Sequence, residues 1–230
     1  MKLVPPLITA SVAFLALACT AITQAAIITS VTDPLAGGKL TSASIFTVGG
    51  VGTAAGVNNW PAAELPSKIF DVDQATKYLN FAKTDTGIAV TPAFGLSIAT
   101  GINFTTANDG QARNPATFSL YGSNTVTVAG NEAAGATFSL SSFTPIAVDQ
   151  PTGFTSTTPI FTSASVSFPN TTPYKSYILV FPTVADVANS NSMQVAQANI
   201  TGTAAVPEPG TLGLLGLTTV GIAALRRRRH

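Results

Sequence analysis

Histidine is missing from the body of this 230-residue chain: the single one, His230, is the last residue. Without an imidazole, no Ser-His-Asp triad, Cys-His pair or histidine-ligated zinc site can be assembled there. Cysteine is as scarce. The one thiol, Cys19, lies in an apolar N-terminal run, so the rest of the chain has neither disulfide nor thiolate and must be held together by apolar burial. Charge is sparse too, at 9% of residues. Lys2 and the four arginines Arg226 to Arg229 sit at the ends, leaving six bases (Lys39, Lys68, Lys77, Lys83, Arg113, Lys175) against nine acids over residues 27–205, a net −3. A mildly acidic body lacks the cationic face that phosphate contact requires, so nucleic acid is not expected as a partner.

What is present is Gly, Ala, Ser and Thr in quantity, with Phe outnumbering the other aromatics, a composition that suits a β-rich exported protein. The opening MKLVPPLITASVAFLALACTAITQAA has one lysine, an apolar run and small residues at Ala25 and Ala26, and is expected to be a signal peptide over residues 1–26. A lipoprotein signal at Cys19 is the rival reading, opposed by Ala16 where a larger aliphatic is usual. A buried helix is the third, and nothing amphipathic supports it.

The end of the chain, VPEPGTLGLLGLTTVGIAALRRRRH, has three physical parts. Pro207 and Pro209 fix φ and forbid helix upstream, which makes an extended linker. The apolar stretch 211–225 would reach roughly 22 Å as a helix against a hydrocarbon core of about 30 Å, a marginal transmembrane span. Arg226, Arg227, Arg228 and Arg229 then hold its end on the cytoplasmic side. A short span, a strong stop and a prolyl hinge suggest a temporary membrane anchor, with a permanent tail anchor or a buried helix as alternatives. In this order the motif Val206, Pro207, Glu208, Pro209, the apolar helix and the arginine cluster resemble the PEP-CTERM sorting signal of Gram-negative bacteria that make extracellular polysaccharide. The resemblance covers residues 206–230. It implies processing by an exosortase-type membrane peptidase, a transient membrane stage, and a destination at the cell surface or in the exopolysaccharide matrix.

Between the ends the periodicity is that of strands. ATFSLYG puts Phe118 and Leu120 on one face with Ser119 and Tyr121 on the other, and ATFSLSSF does the same with Phe138 and Leu140. SASVSFP repeats the pattern through Val166 and Phe168, whereas SYILVFP reads as a run buried on both faces. Turn-rich stretches such as TANDGQARNP and AGNEAAG separate them. Short strands, frequent turns and no long helical pattern predict an all-β fold, a β-sandwich over residues 57–205. Residues 27–56, rich in Gly, Ala and Thr, are expected to precede it as a loosely ordered segment.

Three segments, LPSKIFDVDQATKYLNF, GINFTTANDGQARNPATFSLYGSN and YKSYILVFPTVADVANSNSMQVAQANITG, resemble successive parts of a discoidin-like domain, also called the coagulation-factor C-type domain. This implies a galactose-binding-like jelly-roll β-sandwich that commonly binds glycans and often holds one structural calcium. The FD-x-D-x-x-T pattern of Phe70, Asp71, Asp73 and Thr76 marks the calcium loop, with carboxylate, hydroxyl and backbone oxygens at Lys68, Asp71, Asp73 and Thr76. A glutamate usual on the last strand is Gln197 here, which keeps an oxygen and loses a charge. The plain alternative is that Asp71 and Asp73 shape a turn.

Glycan recognition needs a shallow surface with an aromatic platform and planar hydrogen-bonding side chains. The candidates are Asn58, Asn59 and Trp60, with Asn108, Asp109, Gln111, Arg113 and Asn114 on a second loop. Arg113, the one arginine of the body, has the fork to bind ring hydroxyls or a uronate carboxylate, though a solvated arginine is the commoner outcome. Trp60 before Pro61 is equally the signature of a core plug. No catalytic residues are expected. A carboxylate-pair hydrolase using Glu64, Asp71, Asp109 or Asp186 is the enzymatic alternative, without a spacing that identifies a pair. The Gly-rich GVGTAA from Gly50 leads into GVNNWP and cannot open the helix a dinucleotide loop needs. Three functions follow: a carbohydrate-binding surface or matrix protein, a structural protein that binds no glycan, and a polysaccharide hydrolase.

Overall fold

A computed structural model describes residues 25–205. The expected leader, up to residue 24, and the sorting tail from Val206 onward, with its apolar stretch and arginines, lie outside the described residues. Fifteen strands follow in order: β1 (Ala26–Ile27), β2 (Leu35–Ser42), β3 (Ile45–Val48), β4 (Gly50–Val51), β5 (Asn59–Trp60), β6 (Tyr78–Asn80), β7 (Thr86–Val90), β8 (Ser97–Thr105), β9 (Thr117–Ser123), β10 (Thr137–Ser139), β11 (Thr144–Pro151), β12 (Ser163–Ser167), β13 (Ser176–Phe181), β14 (Met193–Val195) and β15 (Gln197–Ala204). They build an all-β sandwich. A four-stranded sheet ordered β1-β15-β8-β12 faces a seven-stranded sheet ordered β10-β3-β2-β7-β13-β9-β11, and every pairing in both is antiparallel. Among the described residues the only helical pieces are short 3-10 turns, and no helix is long and apolar enough to cross a membrane.

The main core lies between the sheets. Ile102, Phe104 and Ile200 from one sheet meet Phe118, Leu120, Tyr177, Leu179 and Phe181 from the other. Phe104 is its centre, with ring centroids 5.2 Å from Phe118, 6.3 Å from Phe154 and 6.5 Å from Phe181. A second cluster coats the opposite face of the seven-stranded sheet, where Phe46, Ala89, Ile178 and Val180 pack under Val128 and Phe143 of the segment leading into β11. That second layer explains why all six residues of β13 are buried: odd positions face the main core and even ones the cover. The same cover sets Tyr121 against apolar neighbours on a face expected to be half open to water.

Two expectations are corrected. Residues 27–56 do not precede the sandwich as a loose segment: they supply β2, which lies inside the seven-stranded sheet between β3 and β7. Glycine serves close approach there, since a Cβ on Gly37 would collide with the ring of Pro66. The second ATFSL stretch forms a strand of only three residues, after which Leu140–Ser142 turns and Phe143 enters the cover.

Register also fixes which loops share an end. At one end of β8, Ser97 pairs with Ala204, and Ala205 donates to the carbonyl of Leu96 at 3.0 Å. β1 pairs there as well, Ala26 opposite Gly202. At the other end, Thr105 pairs with both Ser163 and Gln197. Both boundaries of the described chain therefore leave from the Ser97 end, and the loops 106–116 and 152–162 lie at the opposite one.

Candidate functional site

The residues expected to form a glycan surface fall into two groups. Trp60 is 6% exposed, with its ring edge-on to Tyr78 at 5.9 Å, and it packs in the main core beside Gly37. Its rim reaches the wall of a cleft of about 510 Å³ that Asp33, Ser67 and Glu132 also line. Asn59 is buried in β5, and its side-chain oxygen has no hydrogen-bond partner among the described residues. Asn58 is occupied: its amide donates to the Thr47 carbonyl at 2.9 Å and its oxygen accepts from Asn80 at 2.9 Å. These three residues knit β5 to its neighbours, and Trp60 is a core plug rather than an open platform.

The second group surrounds a buried cation. Lys77, only 7% exposed, donates to Asp109 Oδ1 at 2.6 Å and to Asn108 Oδ1 at 3.1 Å, with Glu64 Oε1 at 3.5 Å. An ammonium this enclosed persists because carboxylates pair with it. Arg113 Nη2 reaches the same Asp109 oxygen at 3.0 Å, Asn108 donates to the Ala75 carbonyl at 3.0 Å, and Gln194 donates to the Asp109 carbonyl. Burial pushes the Asp109 carboxyl up, but the hydrogen bond from Lys77 and the nearby Arg113 charge outweigh it and hold the group below its ordinary range. Asn114 is buried, its amide 3.5 Å from the Thr155 carbonyl, while Gln111 opens the short turn 111–113. Asp109 and Asn108 therefore clamp the 106–114 segment to the 61–77 segment through Lys77 and Ala75, with Arg113 bracing Asp109 from its own loop. Lys77 and Gln194 are the members that sequence reasoning missed. Among the described residues, no hydrogen bond or ion pair joins this group to Asn58, Asn59 or Trp60.

The oxygens of the expected calcium loop are engaged by donors of the chain itself, whereas a calcium ion takes six to eight oxygen ligands. Asp71 Oδ1 accepts from the Asp73 N–H at 3.2 Å, and Oδ2 accepts from the Thr76 hydroxyl at 2.7 Å with the Lys68 ammonium 3.5 Å away. The Lys68 carbonyl accepts from Asp71 N–H at 3.4 Å, and the Asp73 carbonyl from Thr76 Oγ1 at 3.1 Å. Gln197 points its amide nitrogen inward, donating to the Asp71 carbonyl at 2.8 Å. The Gln197 amide and the Lys68 ammonium are thus both donors toward Asp71. The five residues Lys68, Asp71, Asp73, Thr76 and Gln197 are brought together as expected, in a hydrogen-bonded latch between the loop and β15.

The carboxylates named for an enzymatic alternative are similarly engaged. Glu64 faces Lys77 at 3.5 Å, and Asp186 accepts from Asn189 Nδ2 at 2.6 Å. Hydrogen bonds from the Asn189 side chain and backbone hold the Asp186 carboxyl below its ordinary range, as Lys77 and Arg113 do for Asp109. Neither has the raised pKa that a general acid uses.

Residues 205–229 match the family model described as the PEP-CTERM protein-sorting motif, so the chain carries this signal at its end. No curated protein matches the chain. Among solved structures it is similar to the module CpGH89CBM32-5 from Clostridium perfringens, described in complex with GalNAc-β-1,3-galactose, at 12% identity and a TM-score of 0.45, covering 73% of this chain and 94% of that one. It is similar to CBM62 from Clostridium thermocellum Xyl5A at 19% identity and a TM-score of 0.43, covering 73% and 99%. It is also similar to a fucolectin from striped bass (Morone saxatilis) serum, at 10% identity and a TM-score of 0.41, covering 75% and 47%.

Proposed function

We propose that this is an exported protein of the cell surface or exopolysaccharide matrix, delivered by its C-terminal signal and cut by an exosortase-type peptidase, whose sandwich binds carbohydrate without catalysis. The observation that carries the delivery is the sorting motif at residues 205–229. The glycan part is supported by the resemblance of the three discoidin-like segments, one of which supplies the loop 106–116 at the Thr105 end. The engaged carboxylates, two of them with a lowered pKa, favour binding over hydrolysis. Calcium has no part in this reading. The alternative is a structural matrix protein that packs against other proteins and binds no sugar; the occupied state of Asn108, Asp109 and Arg113 favours it at that particular loop.

The test is the mass and location of the protein recovered from its own cells, followed by its retention on the polysaccharide those cells secrete. A product lacking both ends and held by that polymer is expected. Full-length chain in the cytosolic fraction overturns the delivery. A correctly processed protein that ignores its own polysaccharide overturns the binding half alone and leaves the structural alternative.

A further inference from the structure

We propose that the Ile160–Phe161 tip is a stacking platform for the apolar C–H face of a neutral pyranose, an inference that rests on the carbohydrate-binding reading above. Four non-glycine residues among those described have positive φ: Lys83, Asp85, Asp149 and Phe161. Aspartate tolerates the left-handed region through local hydrogen bonds, but a bulky aromatic there is strained. Phe161 has φ 57 and is 42% exposed, beside Ile160 at 40%, so burial does not explain why a ring occupies the position. Strain of this kind persists where surrounding structure over-determines it, as it does at binding tips.

The over-determining element is one buried threonine. Thr106, 1% exposed, donates its backbone N–H to the Thr162 carbonyl at 2.9 Å and its hydroxyl to the Pro159 carbonyl at 2.8 Å. That hydroxyl in turn accepts from the Thr162 N–H at 2.8 Å. Residues 159 and 162 are thus pinned on either side of the tip, which holds the phenyl ring outward with little left to order on binding.

Ligand chemistry follows from the surroundings. Pro151 to Ser163 contains no charged residue, and the same loop presents a hydroxyl cluster, with Thr155 Oγ1 3.0 Å from Thr157 Oγ1 and 3.2 Å from Thr158 Oγ1. A ring face beside neutral hydroxyls matches a neutral sugar. The guanidinium of Arg113, on the 106–116 loop, is already paired with Asp109 at 3.0 Å, which offsets its attraction for a uronate. An apolar tip also suits a lipid surface. Against that, the loop lacks the cations that accompany anionic bilayers, and it lies at the end of β8 opposite Ala205, where the sorting tail departs.

The experiment is affinity electrophoresis of the full chain in non-ionic detergent, through gels containing galactomannan, xyloglucan, dextran, the host polysaccharide or polygalacturonate. Retardation of the parent protein by at least one neutral polymer is expected, weakened about tenfold or more in F161G and retained in F161Y. Tm should not fall in F161G, because glycine adopts φ 57 without strain, and F161N provides a second variant that tolerates that region. Retardation unchanged in F161G and F161N overturns the platform while the carbohydrate-binding reading stands. No retardation by any polymer overturns both. Binding to polygalacturonate alone overturns the neutral-sugar assignment. A Tm collapse in both variants shows the ring to be packing and overturns the proposal, as does a loss of vesicle co-flotation in F161G with polysaccharide binding intact.

Discussion

Lys77 and Asp109 meet as oppositely charged groups of unequal exposure. The ammonium is 7% exposed and the carboxylate 52%, so removing the lysine lets Asp109 hydrate while removing the aspartate leaves a buried cation with only Glu64 at 3.5 Å and Asn108. Lys77→Met, which keeps the stem, is expected to cost about 1–2 kcal/mol, and Asp109→Asn more, by urea unfolding. The pH dependence has a definite sign. Because the folded Asp109 titrates below its ordinary 3.8, its contribution is complete above that value and is lost as pH falls through the lowered one. The acid limb of a Tm-against-pH curve should therefore flatten in Asp109→Asn, while the curve above pH of about 5 keeps its shape. Trp60 marks a different kind of residue: as a core plug its replacement by alanine should cost about 3–5 kcal/mol, so any binding lost in that variant would report unfolding.

At the level of elements, the loop 68–76 and β15 form one unit through Gln197. If the latch needs no metal, chelator and added calcium should each leave Tm within about 1 °C of the untreated protein, since only a ligand bound to the folded state shifts it. Gln197→Glu, combined with Lys68→Ala, replaces a donor by an acceptor and removes the competing ammonium; that double variant should gain a calcium-dependent rise in Tm that the parent lacks, measurable by differential scanning fluorimetry. A chelator-sensitive parent would overturn the latch. The amino-acid pattern made the membership of this unit readable, because Asp71, Asp73 and Thr76 sit in a fixed spacing. It could not reveal which way the Gln197 amide points, which the Asp71 carbonyl decides. β13 was readable in full, as six apolar or small residues demand two covered faces. β2 was not, because LAGGKLTS carries its packing in the absence of side chains, and the groups that fill the gap, Pro66 and Phe46, come from elsewhere in the chain. Phe161 was unreadable for a related reason. IFTS resembles the start of any half-buried strand, and its left-handed turn is imposed by Thr106 from a distant loop.

For the molecule as a whole, β8 separates two ends with different chemistry. Ser97 to Thr105 is eight steps, roughly 27 Å of extended chain. At the Ser97 end, Ala205 is bonded to Leu96, and exposed Phe94 and Leu96 flank the point where the tail departs. Five residues, Val206 to Gly210, lie between Ala205 and the apolar stretch, a reach of at most about 18 Å. If the tail is held in a membrane before processing, as proposed above, a tether this short is expected to keep the Pro92–Leu96 loop close to the lipid headgroups and to turn the Thr105 end outward. A photo-crosslinking residue at Phe94 should then label lipid in cells lacking the processing peptidase, where one at Phe161 labels none. Once processing removes the tail, labelling at Phe94 should fall to background. Equal labelling at the two positions before processing would mean that the tether does not orient the sandwich, because a domain free to tumble about residues 206–210 presents both ends to the bilayer.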